Sequence, residues 1–156
     1  EEQGTRAVTV GRLVASTGTS IRRYAILNAG FVHGVRQGMP VRGPGGLVGR
    51  VASAGAASAR VGLVTDGGTV VPVRRVPDGM PAIATGTGDG FIDIRALGAE
   101  NTTFKVGDVF VTSGAGGVYP PNIPVAVIRR RTRDALLARP VADPTAFDFA
   151  AVLPIY

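Results

Sequence analysis

Turn-forming residues divide the chain at short intervals, and their spacing allows only short extended segments between them. The sequence contains 23 glycines and 11 prolines among 156 residues. Many of them fall in recurring turn signals: NAG, GPGG, TDGG, GTGDG, SGAGG and PPN. Between these signals, apolar and polar residues alternate with the period of two that is typical of half-buried strands, and stripes of helical period are hard to find. The chain is therefore predicted to be all-β.

The alternation predicts twelve strands, which fall into two sets of six. The first set comprises 7–14, 23–29, 39–42, 47–53, 59–65 and 70–75. The second set comprises 80–86, 91–97, 108–112, 123–130, 134–141 and 147–154. A short helix is the alternative interpretation for the segment RDALLAR at 133–139.

The two sets of strands resemble each other as a loose internal repeat. The matched positions are Gly38 with Gly107, 45–46 with 116–117, and LVGRV with IPVAVI. Each set spans roughly 75 residues, and a six-stranded sheet of that size hides its edges best by curling into a barrel. The sequence therefore predicts two small six-stranded β-barrel subdomains, the first at 1–77 and the second at 78–156.

The chemistry available to the side chains is narrow. Cysteine is absent and His33 is the single histidine, so disulfides, thiolate nucleophiles and thiolate metal sites are excluded. Asp89 and Asp93 are too few for a calcium cage. The loop SGAGG at 113–117 lacks the lysine of a P-loop, and no predicted helix follows it, which argues against a phosphate site. We expect no metal and no cofactor.

The net charge of +6 favours an acidic partner. Basic chains bind nucleic acid, anionic lipid or acidic proteins, but a chain in which Lys105 is the only lysine also fits GC-rich coding bias. The densest basic run is IRRRTR at 128–133, and it contains no aromatic residue for stacking on bases. A nucleic-acid-binding barrel is therefore one hypothesis, and a solvent-exposed edge strand kept from pairing by its charge is the alternative.

One arrangement of residues suggests catalysis. His33, Asp66 and Ser113 occur in the chain order of the triad of chymotrypsin-like proteases, which also consist of two β-barrels. Turns offer a simpler explanation. Asp66 in TDGG is a typical turn residue whose carboxylate accepts bonds from nearby backbone N–H groups, and Thr112 stands where the protease motif has a glycine. A serine hydrolase that uses these residues stays as an alternative function.

Several motifs occur in an order that resembles the rod shape-determining MreC family, and in particular its extracytoplasmic β domain. They are NAGFVHGVRQGMPV at 28–41, GLVGRV at 46–51, LVTD at 63–66, VPV at 71–73 and VGDVFVTSGAGGVYPPNIPV at 106–125. The ordered set covers nearly the whole chain, from about Arg6 to Pro154. Asn122 and Ala126 each replace a glycine of the family pattern. Because asparagine tolerates positive φ, we expect the turn at Asn122 to survive.

The resemblance implies two barrels that are distantly like those of chymotrypsin but lack catalysis. It implies a periplasmic domain of a single-pass inner-membrane protein, whose transmembrane anchor and coiled coil precede this fragment, with 1–5 as the end of the coiled-coil linker. It also implies a scaffold in the complex that elongates the wall of rod-shaped bacteria. The implied partners are the elongation-specific class B penicillin-binding protein, MreD, MreB, RodA and RodZ, together with self-association into dimers or filaments; nucleic acid is not among them.

The family's motif residues transfer to this sequence as determinants of the fold. They are Gly38, Gly46, Gly49, Asp66, Gly107, Ser113, Gly114, Gly117, Pro121 and Pro124. A scaffold needs contact surfaces, which exposed strand edges or apolar patches provide. The candidates for partner binding or self-association are residues of predicted loops: Phe31, Val32, Phe104 and Tyr119. The basic charge suggests an anionic lipid surface as a further partner.

Overall fold

The computed structural model describes residues 6–14, 23–97, 104–142 and 149–156. In these ranges the chain forms twelve strands and two single-turn 3₁₀ helices, Phe31–His33 and Ala115–Gly117. The strands are β1 Thr9–Val14, β2 Tyr24–Leu27, β3 Pro40–Arg42, β4 Leu47–Ala54, β5 Ala59–Leu63, β6 Val70–Val76, β7 Pro81–Gly86, β8 Ile92–Ala96, β9 Val109–Thr112, β10 Pro124–Arg131, β11 Leu136–Pro140 and β12 Phe149–Val152. Each corresponds to one predicted strand, although 147–148 lie outside the described residues. The all-β prediction is confirmed, and the segment at 133–139 contributes to a strand, not to a helix.

The strands close into two six-stranded barrels, as predicted. The first barrel has the circular order β1-β12-β3-β4-β5-β2, and the second has β10-β11-β8-β7-β6-β9. Neighbouring strands are antiparallel, including the pairs β1–β2 and β9–β10 that close each barrel. Because each sheet closes on itself, the described strands have no free edge. Strand addition at an exposed edge, one of the mechanisms suggested by the sequence, is therefore not available to these barrels.

The two repeats exchange their sixth strands. β6 is the last strand of the first repeat, but it pairs with β7 and β9 in the second barrel. β12 is the last strand of the second repeat, but it pairs with β1 and β3 in the first barrel. The predicted division into 1–77 and 78–156 therefore separates the repeats but not the barrels. Five consecutive strands leave one gap in each barrel wall, and the strand that fills it comes from the other repeat.

The internal repeat extends to the register of the strands. Gly49 in β4 and Ala126 in β10 each follow a register shift against the preceding strand. Val51 and Ile128, two residues further on, each precede a second shift against the following strand. Bulges of this kind bend a strand and increase its local twist. Their occurrence at matching positions shows that both barrels curve by the same device.

Each barrel encloses an apolar core formed by the inward-facing residues of its strands. The core of the second barrel contains Phe104 and Phe110, whose rings pack edge-on with centroids 5.1 Å apart. It also takes in Leu47 at the start of β4 and Leu153 after β12, which come from the strands of the first barrel or their ends. The two barrels therefore share apolar packing at their junction, and burial of such side chains from water stabilises both.

The loop at 113–122 connects β9 to β10 with the backbone conformations that the sequence predicts. Gly114, Gly116 and Gly117 have φ angles of 84°, 81° and 70°. Asn122 has φ 74° and is the only non-glycine residue with positive φ in the described part of the chain. Asparagine accepts the left-handed region more readily than most residues, so it replaces the family's glycine without loss of the turn.

Thr112 holds the same loop in place from inside the barrel. Its side chain is fully buried, at 0% exposure. Its hydroxyl donates to the carbonyl oxygen of Pro120 and accepts a hydrogen bond from the N–H of Ile123 at 2.9 Å. The hydroxyl therefore satisfies two backbone groups that the turn would otherwise leave without partners.

Candidate functional site

Two residues of the suggested triad accept hydrogen bonds from backbone N–H groups of the turns in which they lie. The Nδ1 of His33 accepts a hydrogen bond from the N–H of Gly30 at 3.0 Å, within the 3₁₀ turn after β2. The hydroxyl oxygen of Ser113 accepts a hydrogen bond from the N–H of Ala115 at 3.2 Å, in the loop after β9. These contacts give both side chains a structural role in separate connections.

Asp66, the third residue of the suggested triad, is buried at 2% exposure between β5 and β6. One carboxylate oxygen accepts a hydrogen bond from the N–H of Gly68 at 3.0 Å, which is the predicted turn interaction. The other accepts a hydrogen bond from the N–H of Arg23 at 2.6 Å. The second bond ties the turn to the start of β2. Sequence reasoning missed it because the two residues are 43 positions apart.

The described residues contain neither a group of potential metal ligands nor a helix that could cross a membrane. In the four described ranges, no three or more His, Cys, Asp or Glu side chains are grouped so that they could hold a metal ion. Over the same residues, no helix has the length and apolar character needed to cross a membrane. Asp93 is the one residue of this part of the chain whose buried side-chain oxygen, Oδ1, has no hydrogen-bond partner, while its Oδ2 accepts from Arg95 at 3.0 Å.

The motif residues carried over from the family lie at turns and at close backbone approaches. The motif glycines with φ in the left-handed region are Gly38, Gly46, Gly107, Gly114 and Gly117. Gly49 is constrained by its neighbour instead, because a Cβ there would lie 2.0 Å from the carbonyl oxygen of Gly62 in β5. The role that the resemblance implies for these positions, as determinants of the fold, stays a prediction.

The four candidate contact residues fall into two pairs. Phe31 and Val32 lie in the 3₁₀ turn after β2 and are 51% and 65% exposed. Phe104 and Tyr119 are each 2% exposed and belong to the core of the second barrel. The structure therefore corrects the prediction for Phe104 and Tyr119, whose side chains belong to the barrel core and are not exposed loop residues. A loop position in the sequence did not reveal that these side chains turn inward.

The outer wall of the first barrel carries an apolar face that the sequence reasoning missed. Val10, Val14, Ile26 and Phe149 are between 44% and 59% exposed. Val14 pairs with Ile26, and Arg12 pairs with Phe149. Because paired residues on antiparallel strands point to the same side of the sheet, these side chains share one surface. We call these five residues, on β1, β2 and β12, the outer face.

A slot lies beside the outer face. Tyr24, Gly62 and Arg50 stand next to one another on β2, β5 and β4. Gly62 has no side chain to fill the space between its two neighbours, and a cavity of about 240 Å³ opens there, with Val70 and Tyr119 also in its lining. Burial raises the pKa of the Tyr119 hydroxyl, and nearby Arg50 offsets part of that effect. The slot has room for a side chain from another molecule.

The charged residues in the strands of the first barrel are all positive. They contain Arg12, Arg42, Arg50 and Arg60, and no Asp or Glu. The guanidinium of Arg12 lies over the ring of Phe149 at 5.5 Å, and that of Arg60 lies over the ring of Tyr24 at 5.1 Å. Cations therefore stand directly beside the apolar residues of the outer face and beside the slot.

The basic run at 128–133 is part of a barrel wall. β10 pairs with β9 on one side and β11 on the other, so the prediction of an edge strand is wrong. Arg131 donates to the carbonyl oxygen of Phe104. Arg130 and Arg139 lie over the ring of Phe91, at 5.5 Å and 4.7 Å. These arginines make contacts within the second barrel, which weakens the case for a nucleic-acid groove.

Sequence comparisons identify relatives over most of the chain. The family model described as "Rod shape-determining protein MreC, barrel core" matches residues 13–153. The cell shape-determining protein MreC of Cereibacter sphaeroides is 33% identical over 143 residues, which cover 92% of this chain and 47% of that protein. The chain thus spans about half the length of this curated relative.

Solved structures share the two-barrel fold. The crystal structure of MreC from Pseudomonas aeruginosa has a TM-score of 0.84 and 28% identity, and the match covers 92% of this chain and 97% of that one. A chain in the solved complex between a penicillin-binding protein, PBP2, and MreC from Helicobacter pylori has a TM-score of 0.53 and 10% identity. That match covers 92% of this chain and 97% of the other, and it shows a similarity of fold alone. By its sequence and its barrels, the chain belongs to the MreC family of rod shape-determining proteins and spans that family's barrel core.

Proposed function

We propose that the chain is a non-catalytic scaffold of the cell-wall elongation complex that maintains rod shape. The observation that carries the proposal is the match to the MreC barrel core across residues 13–153. The local bonds of His33, Asp66 and Ser113 support it, because a turn explains each of these side chains without a reaction. A scaffold acts through surfaces, and the outer face of the first barrel is a surface of the required kind.

The partner that we propose first is the elongation-specific class B penicillin-binding protein. The support is that MreC of Helicobacter pylori is found in a solved complex with a penicillin-binding protein. The other proposed partners are MreD, MreB, RodA and RodZ, together with further copies of the chain in dimers or filaments. Phe31 and Val32, both exposed, stay proposed contact residues. The net charge of +6 supports an additional contact with anionic lipid.

The proposed location is the periplasm, as a domain of a single-pass inner-membrane protein whose anchor lies outside these 156 residues. Membership of the MreC family supports this location. A basic domain that reaches the membrane surface is attracted to its anionic headgroups. Binding to anionic vesicles at low salt, and its loss at high salt, is the expected result; no binding at low salt would end the lipid part of the proposal.

The scaffold proposal is tested by binding and by labelling. The chain and the periplasmic part of the class B penicillin-binding protein from the same organism are expected to form a complex in sedimentation velocity, and the chain alone should self-associate as its concentration rises. A fluorophosphonate probe is expected to leave Ser113 unlabelled, with Ser113→Ala as the matched control. Labelling that disappears in Ser113→Ala, without complex formation, would favour the serine hydrolase instead.

A further inference from the structure

We infer that the outer face and the slot over Gly62 form one docking surface for a partner protein segment in which aliphatic side chains stand next to carboxylates. The inference rests on the proposed scaffold function, because it assigns that function to one side of the first barrel. The aliphatic side chains of the segment cover Val14 and Ile26. Its carboxylates pair with Arg50 and Arg60, and one of its side chains enters the slot.

The apolar part of the surface is continuous across three neighbouring strands. The order β12, β1, β2 places Phe149 and Arg12 next to the pair formed by Val14 and Ile26. Single exposed apolar residues are common on protein surfaces, but a contiguous group on a closed barrel wall is typical of an interface. The aliphatic half of the proposed partner segment matches this group.

The barrel fold itself does not require the slot. Arg50 pairs with Gly62 in the first barrel, and Val127 pairs with Arg139 at the matching position of the second barrel. Arg139 fills that position and lies over the ring of Phe91 at 4.7 Å. At Gly62 a Cβ would find its nearest neighbour at 3.8 Å, an ordinary contact. Since the second barrel accommodates an arginine at the position that matches Gly62, the fold does not need this position to be empty. The open slot is therefore available for a side chain of a partner.

Charge argues against a two-fold dimer in which this surface meets itself. Arg12, Arg50 and Arg60 are exposed on strands that contain no acidic residue. In a two-fold dimer each patch faces itself, so these arginines would meet arginines. The carboxylate in the slot lining is Asp66, which is 2% exposed and accepts hydrogen bonds from two backbone N–H groups. The surface therefore fits a partner that supplies its own carboxylates.

The test compares matched substitutions on the two barrels for binding to the periplasmic part of the class B penicillin-binding protein. Ile26→Asp and Arg60→Glu change the proposed docking surface. Leu97→Asp and Arg129→Glu are the controls on the second barrel; Leu97 is 48% exposed, against 44% for Ile26. Each of the first two is expected to weaken binding by roughly tenfold or more, as loss of an interface hot spot does, and the controls are expected to bind like the unmodified chain.

Gly62→Ala adds a readout for the slot itself. The added methyl group meets no atom closer than 3.8 Å, so the melting temperature should stay unchanged while the space for a partner side chain shrinks. Weaker binding with unchanged melting supports the slot, and unchanged binding removes the slot from the proposal. If Ile26→Asp fails to fold, Arg60→Glu and Gly62→Ala still decide the question.

The outcomes separate this inference from the proposed function. Binding that persists unchanged in Ile26→Asp and Arg60→Glu overturns the inference and leaves the scaffold proposal standing. No binding by the unmodified chain overturns both. Substitutions that reduce self-association in sedimentation but leave binding to the penicillin-binding protein intact show that a second copy covers the face, which also overturns the inference.

Discussion

The two barrels have the same strand order and matching bulges, but they differ in the side chains that face outward. Val14 and Ile26 pair on the outside of the first barrel, and the matching pair in the second is Thr85 with Asp93. Asp93 is bonded to Arg95 at 3.0 Å. The inward-facing residues fix the register of the strands in each barrel, because a shift by one residue would turn these side chains toward solvent. The outward residues are free of that constraint, so the pair Val14 and Ile26 can be apolar in one barrel while the pair at the same place in the other is polar.

A second difference between the barrels is the space available for a side chain at matching positions of β4 and β10. Gly49 and Ala126 occupy matching positions after the first bulge. A Cβ at Gly49 would lie 2.0 Å from the carbonyl oxygen of Gly62, whereas the methyl group of Ala126 is accommodated at 0% exposure. β4 and β5 therefore approach each other more closely than a side chain allows, while β10 has room for a methyl group.

Separating the two repeats is expected to have the largest effect. The fragments 1–77 and 78–156 each lack the sixth strand of a barrel, because β6 and β12 are exchanged. Neither fragment alone should show dispersed amide resonances or a cooperative unfolding transition, and mixing them should restore both features. A fragment 78–156 that folds cooperatively by itself would contradict the exchange of strands.

Gly49→Val is expected to have the next largest effect. The side chain has no space beside the carbonyl of Gly62, so the substitution should cost more than about 4 kcal/mol and unfold the first barrel. Ala126→Gly is the matched change in the second barrel and should cost only about 1–2 kcal/mol, through a lost buried methyl group and added backbone freedom. Urea unfolding of both variants measures the difference; unchanged melting of Gly49→Val would refute this account of β4.

Thr112→Val tests the anchor of the loop at 113–122. Removing the buried hydroxyl leaves the N–H of Ile123 and the carbonyl of Pro120 without their partner, which should cost about 1–3 kcal/mol. The control is Thr132→Val, since the hydroxyl of Thr132 bonds Ala135 in an exposed turn. An equal loss of stability in both variants would show that burial of the Thr112 hydroxyl is not what matters.

The smallest expected effect concerns the ion pair of Arg75 with Asp78, which joins β6 to its following turn at 2.6 Å. The hydrogen bond from Arg75 lowers the pKa of the Asp78 carboxyl below its usual 3.8. A carboxyl whose pKa is lower in the folded state than in the unfolded state stabilises the protein at pH values above the unfolded-state pKa. This contribution is lost as the pH falls through the folded-state pKa. Asp78→Asn should therefore be slightly less stable than the unmodified chain at pH 7, and this difference should shrink as the pH falls below 3.8. A difference that stays constant as the pH falls would contradict this cause.

Local patterns predicted most of the fold, and non-local contacts explain what they missed. Alternation and turn residues mark all of the strands, because both depend on neighbouring residues. The exchange of β6 and β12 was not predictable in this way, since a strand has the same alternation in either barrel. The outer face had one readable signal: in TVGRLV of β1, Val10 and Val14 lie on the side opposite Leu13, so both sides of the strand carry apolar residues.

Whether the first barrel provides the binding surface can be measured directly by nuclear magnetic resonance. The isotope-labelled chain is titrated with the periplasmic part of the class B penicillin-binding protein, and shifts or broadening are mapped onto the two barrels. We predict that the changes concentrate at Val10, Val14, Ile26 and Phe149 and around Gly62. Changes confined to the matching wall of the second barrel, around Thr85 and Asp93, would contradict it.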